Sequence, residues 1–334
     1  MKLFDCTLRD GANVIGNGFD ANQTTMMLEG LIAANIKTIE MGNCLGVGAY
    51  DANNSIAPLT DREYLALVKP YLLEAEIGMF IGVKNVNEET VALAADSGLH
   101  FLRLGANAGD GADSVEKIKL IKAAGLKCRY AAMKGYIISA QELAEEAKLL
   151  YAAGLDGLTI MDSAGTMTPT MVESYVGALV DAVPIPIGFH GHNNLGLSVA
   201  NGLAAAKAGA KEIDCGLLGM ARSAGNCATE LIVAALQMQG DLMDVEMLKL
   251  LHFLDDELIP EMARYDYHPP VAPIDLVYGF AGCHSSFASL FATVAEEQQV
   301  DLYQLIIEVS KEDRKAPSRE LIEAIAKTLV KESY

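Results

Sequence analysis

The 334-residue chain is 51% hydrophobic and 21% charged, so it can bury a sizeable core as one large domain with an appendage or as two domains. Its formal charge of −19 and pI near 4.7 repel phosphate backbones and anionic lipid, which excludes nucleic acid and membrane surfaces as partners and means that any anionic substrate needs a local cationic site. No stretch approaches the ~18 apolar residues of a membrane span. The start, MKLFDCTLRDG, lacks signal-peptide segments, and Cys6, Cys44, Cys128, Cys215, Cys227 and Cys283 form no CxxC pair, so a cytoplasmic protein with reduced, mostly buried thiols is expected.

Eight short, β-rich apolar runs follow one another, at residues 2–6, 37–41, 76–81, 100–104, 127–133, 157–161, 185–189 and 211–215. Each is followed by a longer segment of helical periodicity, the signature of βαβ units and a parallel sheet. Residues 140–153 (AQELAEEAKLLYAA), for example, place Leu143, Ala147 and Leu150 on one stripe. The Ala-Gly pairs at 124–125, 153–154 and 208–209 read as helix C-caps feeding the next strand. Eight strands within about 230 residues predict a TIM (β/α)8 barrel rather than an open doubly wound sheet, for which TLRDGAN lacks the glycine fingerprint. The strand signal stops near Ala235. Segments 245–263 and 302–330 read as helices on either side of a proline-containing link at 267–273, so the expected division is a catalytic barrel over 1–235 and a helical C-terminal region over 236–334.

Barrel active sites form where strands end and βα loops begin. The polar residues fall there: Arg9-Asp10 after the first strand, Glu40 and Asn43 at the second, Asp162-Ser163 at the sixth, His190-Gly191-His192 at the seventh, and LLGMARSAGNCATE after the eighth. His-x-His in an extended chain sends both imidazoles to one side. With Asp10 they make a carboxylate and two imidazoles that leave coordination positions open, a set suited to Mg²⁺, Mn²⁺, Fe²⁺ or Zn²⁺ and to a chelating 2-oxo acid. Arg9 would then face the substrate with a planar, fixed positive charge, and Glu40 is placed with the substrate-binding candidates or as support for Arg9. His100, His252 and His268 lie away from the rim and receive no role. Cys227 has no partner pattern for a nucleophile and reads as a small buried residue.

The segments DCTLRDG, MDSAGTMTP, GFHGHNNLGLSVANGLAAAKAGA, IDCGLLGMARSAGNCATE and YGFAGCHSSF resemble the metal-dependent lyases and synthases of the HMG-CoA lyase-like (DRE-TIM) superfamily over nearly the whole chain. Within it, GLSVANG, GNxxxE and AGxxSSF are most similar to the 4-hydroxy-2-oxovalerate aldolase branch. The resemblance implies a divalent ion, Mn²⁺ or Mg²⁺ first, on Asp10, His190 and His192, with Asn226 completing the shell. It also implies Arg9 on the enolate oxygen, Ser163 at the substrate, and an associated aldehyde dehydrogenase that receives the product; a homo-oligomer is expected. The chain departs from that branch at two positions, with Asn13 where a histidine base stands and His284 where a tyrosine stands. Asn13 is therefore kept as a substrate-binding candidate and His284 becomes the candidate catalytic imidazole, unless the substrate or reaction has changed. The implied activity is cleavage or formation of a C–C bond through a pyruvate-like enolate. Two other readings remain, a Claisen-type synthase joining an acyl-CoA to a 2-oxo acid, which HGHNN also resembles, and a silent scaffold that kept the fold.

Overall fold

A computed structural model describes residues 1–52, 56–283, 285–313 and 315–330. Eight parallel strands close into a barrel in chain order: β1 (Lys2–Asp5), β2 (Thr38–Met41), β3 (Glu76–Gly82), β4 (Phe101–Asn107), β5 (Lys127–Met133), β6 (Gly157–Asp162), β7 (Ile187–Gly191) and β8 (Glu212–Cys215). β8 pairs with β1 over Lys2↔Glu212 to Asp5↔Cys215, which closes the ring. All eight predicted runs are strands, with ends shifted by up to three residues. The Ala-Gly caps hold as well, with Gly125, Gly154 and Gly209 at φ of 83°, 102° and 103°, where a glycine meets no Cβ penalty.

Strand alternation sorts the side chains into two sets. Ile39, Ile77, Ile81, Leu102, Leu104, Tyr130, Ile160, Phe189 and Ile213 are buried in the large core shared with the helices, whereas Phe80, Ala131 and Met161 form a separate small cluster inside the barrel. The interior needs small residues opposite large ones: a Cβ on Gly78 would lie 2.4 Å from the carbonyl oxygen of Phe101, and one on Gly105 would lie 2.1 Å from the Phe80 ring. Between those rings sit charges. Arg129 bonds Glu212 (2.6 Å) and Glu76 (3.2 Å) toward the strand starts, and Arg103 bonds Asp214 (2.5 Å) toward the strand ends, with both guanidiniums over the Phe4 ring.

The helices begin where sequence chemistry tells them to. Asp20, Thr60, Asn87 and Ser139 each make a reciprocal capping box with the residue three further on. Beyond the barrel, Met247–Phe253 docks on Ala21–Ala33 with the Phe253 ring in the space left by Gly30. The 302–330 segment is two helices, Leu302–Glu312 and Arg319–Ala326, rather than a continuous one. Asp313 turns the chain by accepting from the amides of Lys315 and Ala316, Pro317 follows, and Ser318 caps the second helix. Helices at Pro273–Ala281 and Ala288–Gln298 also fill the stretch between the two predicted helical segments. No helix among the described residues is long and apolar enough to cross a membrane.

Candidate metal centre and active site

The chain leaves β1 in a tight turn: the amides of Arg9, Asp10 and Gly11 all converge on the carbonyl of Cys6, at 3.2, 2.8 and 3.4 Å. That curl lays Arg9 and Asp10 across the barrel mouth. The Arg9 Nε donates to Glu40 Oε2 at 2.6 Å and its Nη1 to Asp10 Oδ1 at 3.1 Å, while the guanidinium lies 5.0 Å from the centre of the Phe80 ring. Glu40 is fully buried, and its other oxygen faces Arg103 at 3.6 Å. A carboxylate enclosed between two guanidiniums cannot reach a substrate, so its geometry suits holding Arg9 in place. Arg9 Nη2 is buried with no protein partner.

At the end of β7 the two imidazoles stand edge to face with ring centres 5.1 Å apart. Asp10, His190 and His192 each offer a ligand atom, and all of these lie within 4.8 Å of one another. His190 is oriented from behind, because its Nδ1 meets Asp214 Oδ2 at 3.0 Å and leaves Nε2 toward Asp10 Oδ2 at 3.7 Å. Asp214 is in turn held by Arg103, a carboxylate–histidine arrangement that fixes ring orientation at metal sites. Three observations say that the residues fit an ion. His192 Nδ1 and Asn226 Oδ1 are buried with no partner. Burial, then neighbouring His190, pushes His192 down to about 4, so the ring is neutral and a competent ligand at working pH. Burial would raise the Asp10 carboxyl, but Arg9, His190 and His192 and the Asn226 hydrogen bond hold it down at about 2, leaving it ionised.

Cys6, His190 and Asp214 also cluster closely enough to hold an ion. That cluster is fully closed: the Cys6 thiol donates to the Cys215 carbonyl at 3.1 Å, burial pushes it far up, and Asp214 is committed to Arg103 and His190. It supports the open cluster above it.

The loop after β8 closes the site from the side. Gly216–Asn226 turns back so that His192 and Asn226 form an antiparallel bridge, and Asn226 Nδ2 donates to Asp10 Oδ2 at 2.8 Å. Leu218 and Ser223 adopt left-handed backbones (φ 57° and 62°), and so does Gly225 (φ 84°), whose Cβ would lie 2.3 Å from the Gly219 carbonyl. Leu218 is gripped from both sides, its amide by Glu230 Oε2 at 3.1 Å and its carbonyl by the Tyr267 hydroxyl at 2.9 Å.

Comparison with known proteins places the chain in a family. A family model described as HMGL-like matches residues 1–256. The chain belongs to the HMGL-like family. It is 32% identical, over 93% of its length and 92% of the relative's, to the 4-hydroxy-2-oxovalerate aldolase of Carboxydothermus hydrogenoformans. It is 30% identical to 4-hydroxy-2-oxovalerate aldolase 2 of Nocardia farcinica, over 100% and 96% of the two chains. Among solved structures, the HMG-CoA lyase of Bacillus subtilis superposes with a TM-score of 0.62 at 17% identity, covering 81% of this chain and 95% of that one, which speaks for the fold alone.

In this HMGL-like chain the remaining predicted residues fall as follows. Asn13 is half-buried and bridges the site: its Nδ2 donates to the Asp10 carbonyl (2.9 Å) and Oδ1 (3.3 Å), and its Oδ1 accepts from Arg222. Ser163 is exposed at the rim, with its hydroxyl accepting from the Lys134 amide at 2.9 Å. Asp162 spends both oxygens on the amides of Thr166 and Met167, and Asn43 bonds Asp61, so these two shape loops. His284 falls outside the described residues. His100 accepts from the Ile77 amide, His252 pairs with Asp301 and stacks on Tyr303, His268 is exposed, and Cys227 is buried. Residue reading missed Arg103, Asp214, Arg222 and Glu230. The available signal for the first two was a charge inside an apolar strand, Arg103 in FLRLG and Asp214 in EIDC.

Proposed function

We propose that this protein is a divalent-metal-dependent carbon–carbon lyase that joins or separates pyruvate and an aldehyde, the chemistry of a 4-hydroxy-2-oxo acid aldolase. The observation that carries it is the convergence of Asp10, His190 and His192 beside a buried arginine at the mouth of the barrel. These three would hold the ion, with Asn226 Oδ1 as a further ligand; the mixed oxygen and nitrogen set suits Mg²⁺, Mn²⁺, Fe²⁺ or Zn²⁺, and the likeness to the aldolases puts Mn²⁺ or Mg²⁺ first. When bound, the ion supplies Lewis-acid polarisation of a 2-oxo acid carbonyl.

The chain's own residues supply the rest. Arg9 keeps Nη2 for the substrate oxygen on which enolate charge collects, and Glu40 and Asp10 fix its direction, so little reorganisation is needed as charge develops. Ser163 at the sixth strand end lies on the rim as a contact for the substrate's polar groups. The Asn13 amide cannot take a proton at neutral pH, so the proton step falls to another group, and the His284 imidazole is proposed for it. A dehydrogenase that consumes the released aldehyde belongs to the same proposal; free aldehyde accumulating during turnover of the native preparation would count against it.

The test is deuterium exchange at the pyruvate methyl group, followed by NMR, together with metal content. The wild-type protein should exchange the methyl protons and bind one ion per chain, and the double variant His190→Ala, His192→Ala should lose both while keeping its circular dichroism. Unchanged metal content in that variant, or thiol release from acyl-CoA without any pyruvate exchange, would overturn the reading.

A further inference from the structure

The loop that carries Asn226 also carries Arg222, and the site described so far gives it no work. Its Nη2 and Nε donate to Asn13 Oδ1 at 3.0 and 3.3 Å, so the guanidinium stands two hydrogen bonds from Asp10. No carboxylate among the described residues pairs with it, in a chain whose net charge is −19. The loop holds it firmly: Asn194 Nδ2 donates to Ser223 Oγ at 2.8 Å, the Asn193 amide to the Gly225 carbonyl at 2.8 Å, and the Asn226 amide to the Gly219 carbonyl at 2.9 Å. Burial pushes the Cys44 thiol up while Arg222 and Arg9 pull it down, so both guanidiniums act on the same corner of the barrel mouth. They differ in depth. Arg9 is buried and charge-paired, whereas Arg222 is exposed, beyond Asn13. Lys84, after β3, and Lys134, after β5, add exposed cations to the same rim.

Resting on the lyase reading above, we propose that Arg222 binds a carboxylate or phosphate on the aldehyde half of the substrate, so that the enzyme takes anionic aldehydes in preference to neutral ones. An exposed, preorganised guanidinium with no counter-charge among the described residues lies where an acceptor reaching outward from Asp10 would pass, and its planar fork matches either anion. Asn13 links the two, accepting from the Arg222 guanidinium through Oδ1 and donating to the Asp10 carboxylate through Nδ2. In the synthetic direction the pyruvate methyl loses a proton, its carbon bonds to the aldehyde carbon, and the aldehyde oxygen takes up a proton; Arg222 positions the acceptor and enters none of these steps.

The experiment measures kcat/KM for aldol addition of pyruvate to succinic semialdehyde, glyceraldehyde 3-phosphate and butanal, in wild type, Arg222→Gln and Arg222→Lys. The wild type should favour an anionic aldehyde over butanal by about 10- to 100-fold, the scale of one charged hydrogen-bonding contact. The two anionic substrates tell carboxylate from phosphate. Arg222→Gln should lower the anionic-to-neutral ratio at least about 10-fold, and Arg222→Lys, which keeps the charge but loses the fork, should keep part of it, which guards against simple misfolding. An unaltered ratio in Arg222→Gln, or a wild type with no anionic preference, overturns the proposal. So does an increase in the KM for pyruvate that is equal with all three aldehydes, which would put Arg222 on the oxo-acid carboxylate. Pyruvate methyl exchange, measured alongside, separates failure of this inference from failure of the lyase reading, because exchange without anionic preference sinks only the former.

Discussion

Arg9 has three donor nitrogens and two protein acceptors around them, Glu40 and Asp10, so the fork is aimed and one nitrogen is left without a protein partner, the one proposed for the substrate. Arg9→Lys keeps the charge and loses that geometry. It should lower kcat roughly 100-fold while metal content stays at the wild-type level, and a near-normal kcat would make the residue structural. Asp214 works one layer deeper, since burial opposes its ionisation and Arg103, then His190, restore it and hold its carboxyl below the usual range. Asp214→Asn should weaken ion binding about 10- to 100-fold, as read by competition with a fluorescent chelator, without changing the number of ions bound at saturation. Asp10, His190 and His192 were legible in the sequence because each sits beside a strand end in a short motif. Asp214 and Arg103 were not, because they are 111 residues apart and only barrel closure makes them a pair.

Strand–helix alternation reads well from sequence because each unit buries its own apolar stripe locally, as Leu143, Ala147 and Leu150 do. The loop after β8 does not, because its shape comes from contacts with three distant segments. Glycine at position 225 is required twice over, by φ of 84° and by the Gly219 carbonyl 2.3 Å from any Cβ. Gly225→Ala should cost about 1–2 kcal/mol from the backbone conformation alone. The larger effect should be on function: Asn226 follows directly, so ion affinity should fall along with the melting temperature. A variant with wild-type affinity would show that the loop tolerates repacking. The split of segment 302–330 was visible in part, since Pro317-Ser318 is a stop and start signal within a helical pattern.

At the scale of the whole molecule, two carboxylates buried between the barrel and its helices, Asp5 at the end of β1 and Glu230 in the helix Thr229–Gln237, are made reluctant to ionise by folding. Burial raises Glu230 from 4.5 to about 7, and Asp5 from 3.8 to about 6. For such groups the folded chain binds more protons than the unfolded one between the two pKa values, so stability is greatest below the unfolded value and declines as pH rises through the folded one. For Glu230 the window is pH 4.5 to 7 and the amplitude roughly 3 kcal/mol. Glu230→Gln retains an oxygen for the Leu218 amide and removes the titration, so it should lose less stability than wild type between pH 5 and 8 in denaturant melts; superimposable pH profiles would refute this. The sequence by itself determined the eight-stranded barrel, the rim that bears chemistry and the three candidate ligands, because period, turn residues and short motifs are local properties of a chain. Only the tertiary structure decided that Glu40 serves Arg9, that Asp214 and Arg103 stand behind His190, and that Arg222 reaches Asn13. Those relations join residues 31, 24, 111 and 209 positions apart, and distances across a closed barrel are set by strand register and twist rather than by any run of residues.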